Sequence, residues 1–416
     1  MISGPCPGAG PTGHAPAPLL GVEEEFFLID PGSRAVSSLG SRVVARARAA
    51  VGDLVSGEFD ECQVEVKTPP RREGAALYDE LVAVRGAAAA AARAEGLGVC
   101  ASGTPVMGRQ GPAVVGDHPR YRAGLDQFGT LLDGFTICAA HIHVHMPDRE
   151  TAVLVGNHLR PWLPLLVAMS ANSPFLDGRD MGYASWRTVI RGRFPALGPP
   201  PYVESLDHYE RLTAALQESE AMLDAAIPFW DVRPNPQFPT LEIRVMDVPA
   251  EAADTVGLAV LIRALVVTAG ALVQRGHTGP ETCGELVRAA YWRAARDGWS
   301  GKGVDALTGR ILPCSVQAAR LVEHVRPALE EHGDLDRAVA FLRRLAERGC
   351  GAQRQRISWR RRAHLADVVD DLARLTFDEE SHWEGGHREA SPSGRRERGD
   401  QHVPVRGPGR IQRTDG

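Results

Sequence analysis

The chain has 416 residues, with 47 Lys and Arg against 52 Asp and Glu for a net charge of −5, and it is 44% hydrophobic but only 6% aromatic. The apolar share suffices for a large core and excludes a wholly disordered chain. The mild acidity lacks the basic footprint of general nucleic-acid binding, and seven scattered cysteines without a C-x-x-C pair read as reduced, cytoplasmic thiols packed as small core residues.

Residues 1–18 are rich in Pro, Gly and Ala and are expected to be disordered, and they contain no basic stretch followed by an apolar one that would make a secretory signal. A single catalytic domain is expected over 19–380, followed by a disordered Arg/Gly/Pro-rich tail over 381–416. Within the domain, Val22–Ile29 reads as a strand. Cys62–Thr68 reads as a second, with Cys62, Val64 and Val66 alternating against Gln63, Glu65 and Lys67. An Ala-rich helix is predicted over Ala75–Glu95, a short strand over Val99–Pro105 and a long strand over Phe135–Met146. Thr151–Ser170 is helical with a break at Pro161 and Pro164. A Pro/Gly loop at Phe194–Pro201 precedes a helix over Leu206–Asp224 and a strand over Thr240–Val248. From there the chain is predicted helical: Ala250–Arg275, Cys283–Arg296, Ser315–Gly333, Asp334–Arg348 and Trp359–Leu375. The most apolar stretch, Val256–Val273, contains Arg263 and Thr268 and reads as a buried helix, not a membrane span. The sum is an α+β fold, with an antiparallel-leaning sheet in the first 250 residues and a helical second half.

Several motifs place ionisable groups on strands. In GVEEEFF, Glu23 and Glu25 share one strand face and Glu24 takes the other. Flanking Val22, Phe26 and Phe27 imply burial, and a buried pair of carboxylates needs a cation; oxygen ligands suit Mg²⁺ or Mn²⁺. On the second strand Glu65 lies between Gln63 and Lys67. In HIHVHM, His141, His143 and His145 emerge on one face, either as metal ligands or as hydrogen-bonded residues of a polar sheet face. The loop from Asn172 to Arg187 is dense in donors, and Arg187 and Arg191 suit bidentate recognition of carboxylate or phosphate. On the last strand Glu242 and Arg244 share a face. The only lysines are Lys67 and Lys302, and neither sits in G-x-x-x-x-G-K-[ST], so a P-loop is excluded.

The stretches GVEEEFFLID, CQVEVKTP, HIHVHM, NSPFLDGRDMGYASWR, WDVRPNPQFPTLEIRVMD and GAQRQR, spread over residues 20–377, resemble the YbdK-type bacterial carboxylate–amine ligases, also called the glutamate–cysteine ligase type 2 family. The resemblance implies a glutamine-synthetase-like fold, a curved and mostly antiparallel sheet with helices packed behind it. It implies ATP-dependent amide formation through an acyl phosphate, with weak joining of glutamate and cysteine to γ-glutamylcysteine. It further implies Glu23, Glu25, Glu65 and Glu242 as ligands of Mg²⁺ or Mn²⁺, His141, His143 and Arg244 as contacts to ATP, and Arg244 and Arg187 as catalytic groups that bind phosphate or substrate carboxylate. The partners expected are small molecules, with no nucleic acid or membrane, and a homodimer stays open. Ala139 and His145 depart from glycines common in the family. Two alternatives remain: a zinc hydrolase built on His141, His143 and His145, and a non-catalytic nucleotide-binding member.

Overall fold

The computed structural model describes residues 16–109 and 114–377. Most of the segment expected to be disordered at 1–18, and all of that at 381–416, lie outside the described residues. The strands are β1 (Leu20–Ile29), β2 (Val55–Gly57), β3 (Gln63–Lys67), β4 (Gly98–Cys100) and β5 (Ala139–His145). They continue with the hairpin β6 (Phe175–Leu176) and β7 (Arg179–Asp180), then β8 (Val232–Pro234), β9 (Thr240–Asp247), and a second hairpin of β10 (Lys302–Val304) and β11 (Ile311–Pro313). The main sheet runs β2-β3-β1-β5-β9-β8, with β4 also paired to β1, and the pairings recorded within it are antiparallel.

Register decides which residues share a face. Val22 lies opposite Ile142, Glu24 opposite both Ala140 and Val66, Phe26 opposite Val64, and Val144 opposite Leu241. Directly paired residues project to the same side of a sheet, so these form one buried face. The helices Gly74–Ala94 and Ala252–Gln274 pack against it. Removing this apolar surface from water is the main favourable term of the fold, about 25 cal/mol per Å². Ala252–Gln274 is long and apolar enough to cross a membrane, but 67% of its most apolar window is buried within the protein. Its Arg263 is fully buried and pairs with Asp334 and with the Arg72 carbonyl.

Glu24 is the one acid of the EEE run on the helix-packed face, and it is fully buried. Arg85 grips it with two bonds, Nε to Oε2 at 2.7 Å and an NH2 nitrogen to Oε1 at 2.6 Å, and the Thr255 hydroxyl donates to Oε1 at 2.6 Å. Arg85 also donates to the carbonyls of Pro249, Ala250 and Thr376. One guanidinium thus ties β1, two long helices and the last described helix together.

Several predicted boundaries move. The strand predicted from Phe135 begins only at Ala139, because the backbone before it is bonded elsewhere: the Gln63 amide donates to the Ile137 carbonyl at 2.7 Å and the Cys138 N–H donates to the Gly103 carbonyl at 3.1 Å. The strand predicted over Val99–Pro105 stops at Cys100. The helix predicted to Asp224 ends at Glu218, just before Glu220 turns to φ 58°. The predicted helix Trp359–Leu375 is two helices, Gly351–Arg362 and Leu365–Phe377, separated by Ala363 in the left-handed region at φ 54°. The helices Gly40–Val51, Pro119–Phe128 and Trp186–Arg191 were not among the sequence expectations.

Removing one partner of a fully buried pair strands the other charge, at a cost of about 3–5 kcal/mol. Urea unfolding of Glu24→Ala is therefore expected to show a loss of that size. A loss below about 1 kcal/mol would mean that the Arg85 network does not anchor β1.

Candidate active site

The opposite face of the sheet carries the charges. Glu23 lies directly across from His141 on one side and Lys67 on the other; Glu25 pairs with Glu65; His143 lies opposite Glu242, and Arg233 lies opposite Glu242 on the next strand. The rows bring Glu23, Glu25, Glu65, His141, His143 and Glu242 together on one surface. The alternation within β1, β3, β5 and β9, and the antiparallel registers between them, produce that convergence.

A bulge completes it. Between Ala140 and Ile142 on β5 lies one residue, His141, whereas two residues, Arg244 and Val245, lie between their partners on β9. The extra residue shifts the phase of β9 beyond it. Asp247, which strict alternation would put with Leu241 and Ile243, instead lies opposite Ala139 on the charged face. There it accepts from the Asn172 amide at 2.8 Å, the Ser173 hydroxyl at 2.6 Å and the Ser185 hydroxyl at 2.8 Å. A Cβ at Gly103 would lie 2.8 Å from the Asp247 carboxyl carbon, so that position needs glycine for space. The polar loop from Asn172 to Arg187 is thereby tied down, and Asn172 and Ser173 serve to build it.

The arginine assignments divide on this scaffold. Arg187 is buried, donates to the carbonyls of Arg244 and Val245 at 3.1 and 3.2 Å, and lies 3.8 Å from Asp247. Arg191 donates to Asp231 at 2.7 Å. Arg244 pairs with Glu242 and lies 3.5 Å from His141 Nδ1. The Nε atoms of Arg187 and Arg244 are both buried without a hydrogen-bond partner. Both residues line a cavity shared with Glu25 and His141.

Among the described residues, two groups of potential metal ligands have their donor atoms within 4.8 Å of one another: Glu23, His141 and Glu242, and Glu25, Glu65 and His141. Carboxylate oxygens with one imidazole fit a hard divalent cation such as Mg²⁺ or Mn²⁺. Neither group contains two histidines. His143 Nδ1 is 3.1 Å from the Thr240 hydroxyl, and His145 is exposed. The three alternating histidines therefore do not converge on a zinc, which removes the basis of the hydrolase alternative.

The electrostatics follow from crowding like charges. Burial pushes Glu65 up to about 7, with Glu23 adding to the effect and Lys67, 2.7 Å away, opposing it. Burial also raises Glu25, against the pull of Arg187 and Arg244. Burial raises Glu58 well above the usual range, reinforced by Glu25 and Glu65. Burial works against ionisation of Glu23 and Glu242 too, but His141 and His143 override it at Glu23, and Arg244 and Arg233 override it at Glu242, so both stay ionised. Burial and then Arg244 lower His141 to about 3, leaving its ring neutral at pH 7 and able to act as a ligand.

Besides Asp247, four residues were not assigned to the site from sequence. Glu58 lines the cavity beside Glu25; it stands just outside the β-strands, where no alternation marks it. Lys67 is the cation nearest Glu65, and its place on the Glu65 face of the strand was the available signal. Arg233 and Asn235 both donate to Glu242, at 2.9 and 3.0 Å. The motif DVRPNP contains them, but nothing local shows that they turn back onto β9.

The comparisons with known proteins bear on this arrangement. A family model described as glutamate-cysteine ligase family 2 matches residues 19–391. The protein named "Putative glutamate--cysteine ligase 2-1" from Nocardia farcinica is 41% identical over 392 residues, spanning 94% of this chain and 99% of its own. "Putative glutamate--cysteine ligase 2-2" from Mycobacterium sp. strain KMS is 42% identical over 362 residues, spanning 86% and 99%. Among solved structures, a glutamate–cysteine ligase from Francisella tularensis in complex with AMP superposes with a TM-score of 0.63 over 88% of this chain and 90% of that one, at 11% identity. A bifunctional glutathione synthetase from Pasteurella multocida gives 0.60 over 87% and 51%, at 13% identity. At such identities the likeness is one of fold, and it agrees with the glutamine-synthetase-like α+β architecture expected from the sequence.

A carboxyl whose folded pKa is raised holds a proton that the unfolded chain releases, so its contribution to stability is largest below the unfolded value of 4.5 and is lost as pH rises toward about 7. Thermal melts of the metal-free protein are expected to fall in midpoint between about pH 5 and about pH 7, and added Mg²⁺ is expected to reverse the fall at the upper end. A midpoint flat across that range, or blind to Mg²⁺ there, would contradict the crowded-carboxylate reading.

Proposed function

The chain belongs to the glutamate–cysteine ligase family 2, and from that premise we propose that it is an ATP-dependent carboxylate–amine ligase that forms an amide through an acyl phosphate, with weak glutamate–cysteine ligation among its activities. The observation that carries this reading is the convergence of two carboxylate–imidazole ligand groups on one sheet face, sharing His141, beside two buried arginines.

The chemistry requires two anions to meet, since a carboxylate oxygen must attack the γ-phosphorus of ATP. Glu23, His141 and Glu242 on one side, and Glu25, Glu65 and His141 on the other, would hold Mg²⁺ or Mn²⁺. Bound there, divalent cations would neutralise phosphoryl oxygens. The protein's own part is positioning and charge. Arg244, anchored by Glu242, presents a guanidinium to the transferring phosphoryl group beside His141. Arg187, anchored by two backbone carbonyls and Asp247, presents the second cation to the substrate carboxylate next to Glu25. Neutral His141 can act as a ligand without adding charge. His143, held by Thr240, stands beside it as a nucleotide contact. The amine then attacks the acyl carbon and expels phosphate. The substrates are small and diffusible, and the two cysteines nearest the acidic face, Cys62 and Cys138, are buried thiols whose pKa burial raises, so neither serves as a nucleophile.

Glu242 differs from the other carboxylates. It already accepts from Arg233 and Asn235 and pairs with Arg244, so Glu242→Gln would disturb stability as well as turnover. Glu23→Gln is the cleaner test. ADP release with Mg²⁺-ATP, screened over glutamate and other carboxylates against an amine panel, is expected to drop about 100-fold or more in Glu23→Gln, with the far-UV circular dichroism of the folded chain retained. Turnover at the unmodified rate in that variant would remove Glu23 from the machinery.

A further inference from the structure

A second cavity, of about 670 Å³, lies between the prolines at 199–201, Trp230 and the start of the helix Gly284–Asp297. It shares no lining residue with the cavity at the acidic face. Arg160 lines it and is only 3% exposed. Five other arginines are as fully buried: Arg85, Arg187, Arg191, Arg233 and Arg263. Each of those has a carboxylate within 4 Å, namely Glu24, Asp247, Asp231, Glu242 and Asp334 in turn. Arg160 has none among the described residues. Its Nε donates to the Pro200 carbonyl at 2.7 Å and an NH1 nitrogen donates to the Thr282 carbonyl at 3.4 Å, which leaves the NH2 nitrogen without a partner there. Burial lowers its pKa, and the groups that oppose this are the phenols of Tyr291 and Tyr202. A buried cation answered only by neutral carbonyls lacks a counter-ion.

Two further donors face the same space. The Thr282 hydroxyl oxygen is buried without a hydrogen-bond partner and belongs to the lining. Cys283 and Gly284, also in the lining, begin the 14-residue helix Gly284–Asp297, and no side chain caps its first amides. Orphan amides at a helix start attract anions. Beside these donors the wall is apolar, with Pro199, Trp230, Leu212 and Leu216. Glu281, the single acid of the lining, is exposed to solvent, and the exposed Arg288 is paired with Glu285 of its own helix.

We propose that this cavity binds a small organic anion, whose carboxylate or phosphate head is held by Arg160, the Thr282 hydroxyl and the first amides of Gly284–Asp297, while an apolar body lies against Trp230 and Leu216. The site is separate from the acidic face, so the proposal stands whether or not the chain is a ligase.

The test is calorimetric titration of the full chain, free of metal and nucleotide, with phenyl phosphate and with benzoate; benzyl alcohol is the neutral control. At least one of the two anions is expected to bind at one site about 10-fold or more tighter than benzyl alcohol, and the tighter of them identifies the head group. Thr282→Val, which removes an unpartnered hydroxyl, is expected to weaken that binding about 10-fold while the melting temperature of the ligand-free chain holds or rises. Arg160→Met is expected to abolish it, and if that variant fails to fold, Thr282→Val decides. Saturating Mg²⁺-ATP is expected to leave the binding in place. Binding of neither anion overturns the proposal, as does equal binding of benzyl alcohol. Binding that Thr282→Val leaves unchanged and Mg²⁺-ATP displaces also overturns it, because the anion would then sit on the acidic face.

Discussion

The structure depends on one electrostatic constraint: four carboxylates of β1, β3 and the β2–β3 turn, Glu23, Glu25, Glu58 and Glu65, are crowded at one end of a sheet with Lys67 the nearest ammonium. Carboxylates so close cannot all ionise without a compensating cation. The protein meets this in two ways. On the β9 side it supplies arginines, which keep Glu242 charged; on the β3 side burial raises Glu65 and Glu58, which retain protons.

The same sheet shows how two faces of a strand take opposite roles. Glu24 stands between Glu23 and Glu25 in sequence, yet it is sealed against Arg85 and Thr255 in the core. Its charge holds helices to β1, whereas Glu23 and Glu25 lie on the opposite, charged face. The separation needs a rigid register, and the fully paired β3-β1-β5 ladder supplies it. The buried Arg85 pair costs desolvation, which the two-pronged geometry and the added carbonyl acceptors offset.

Strand alternation explains much of what could be read in advance. Glu23 and Glu25, and likewise His141 and His143, share a face because each pair lies two residues apart on its own strand, and short-range periodicity carries that information; the register between strands adds Glu65. Glu58 escaped because it sits beyond a strand end, where no period applies. Asp247 escaped because a bulge reverses its side, and the bulge is set by pairing with β5, not by anything local to β9. The three-histidine pattern suggested zinc for the same local reason. The pattern gives a common face, but the ligand atoms group one imidazole with carboxylates from other strands.

The amino-acid order alone determined the α+β class, the buried character of Ala252–Gln274, and which acids share a strand face, because these follow from periodicities of two and 3.6 residues. Tertiary structure alone decided that Arg233 and Asn235 clamp Glu242, that Asp247 anchors the loop from Asn172, and that phenylalanines from separate segments wall one cavity. Those contacts join residues from separate strands and loops, with no repeating spacing to announce them. Their geometry is set by chain reversal and packing, where composition and periodicity carry no information.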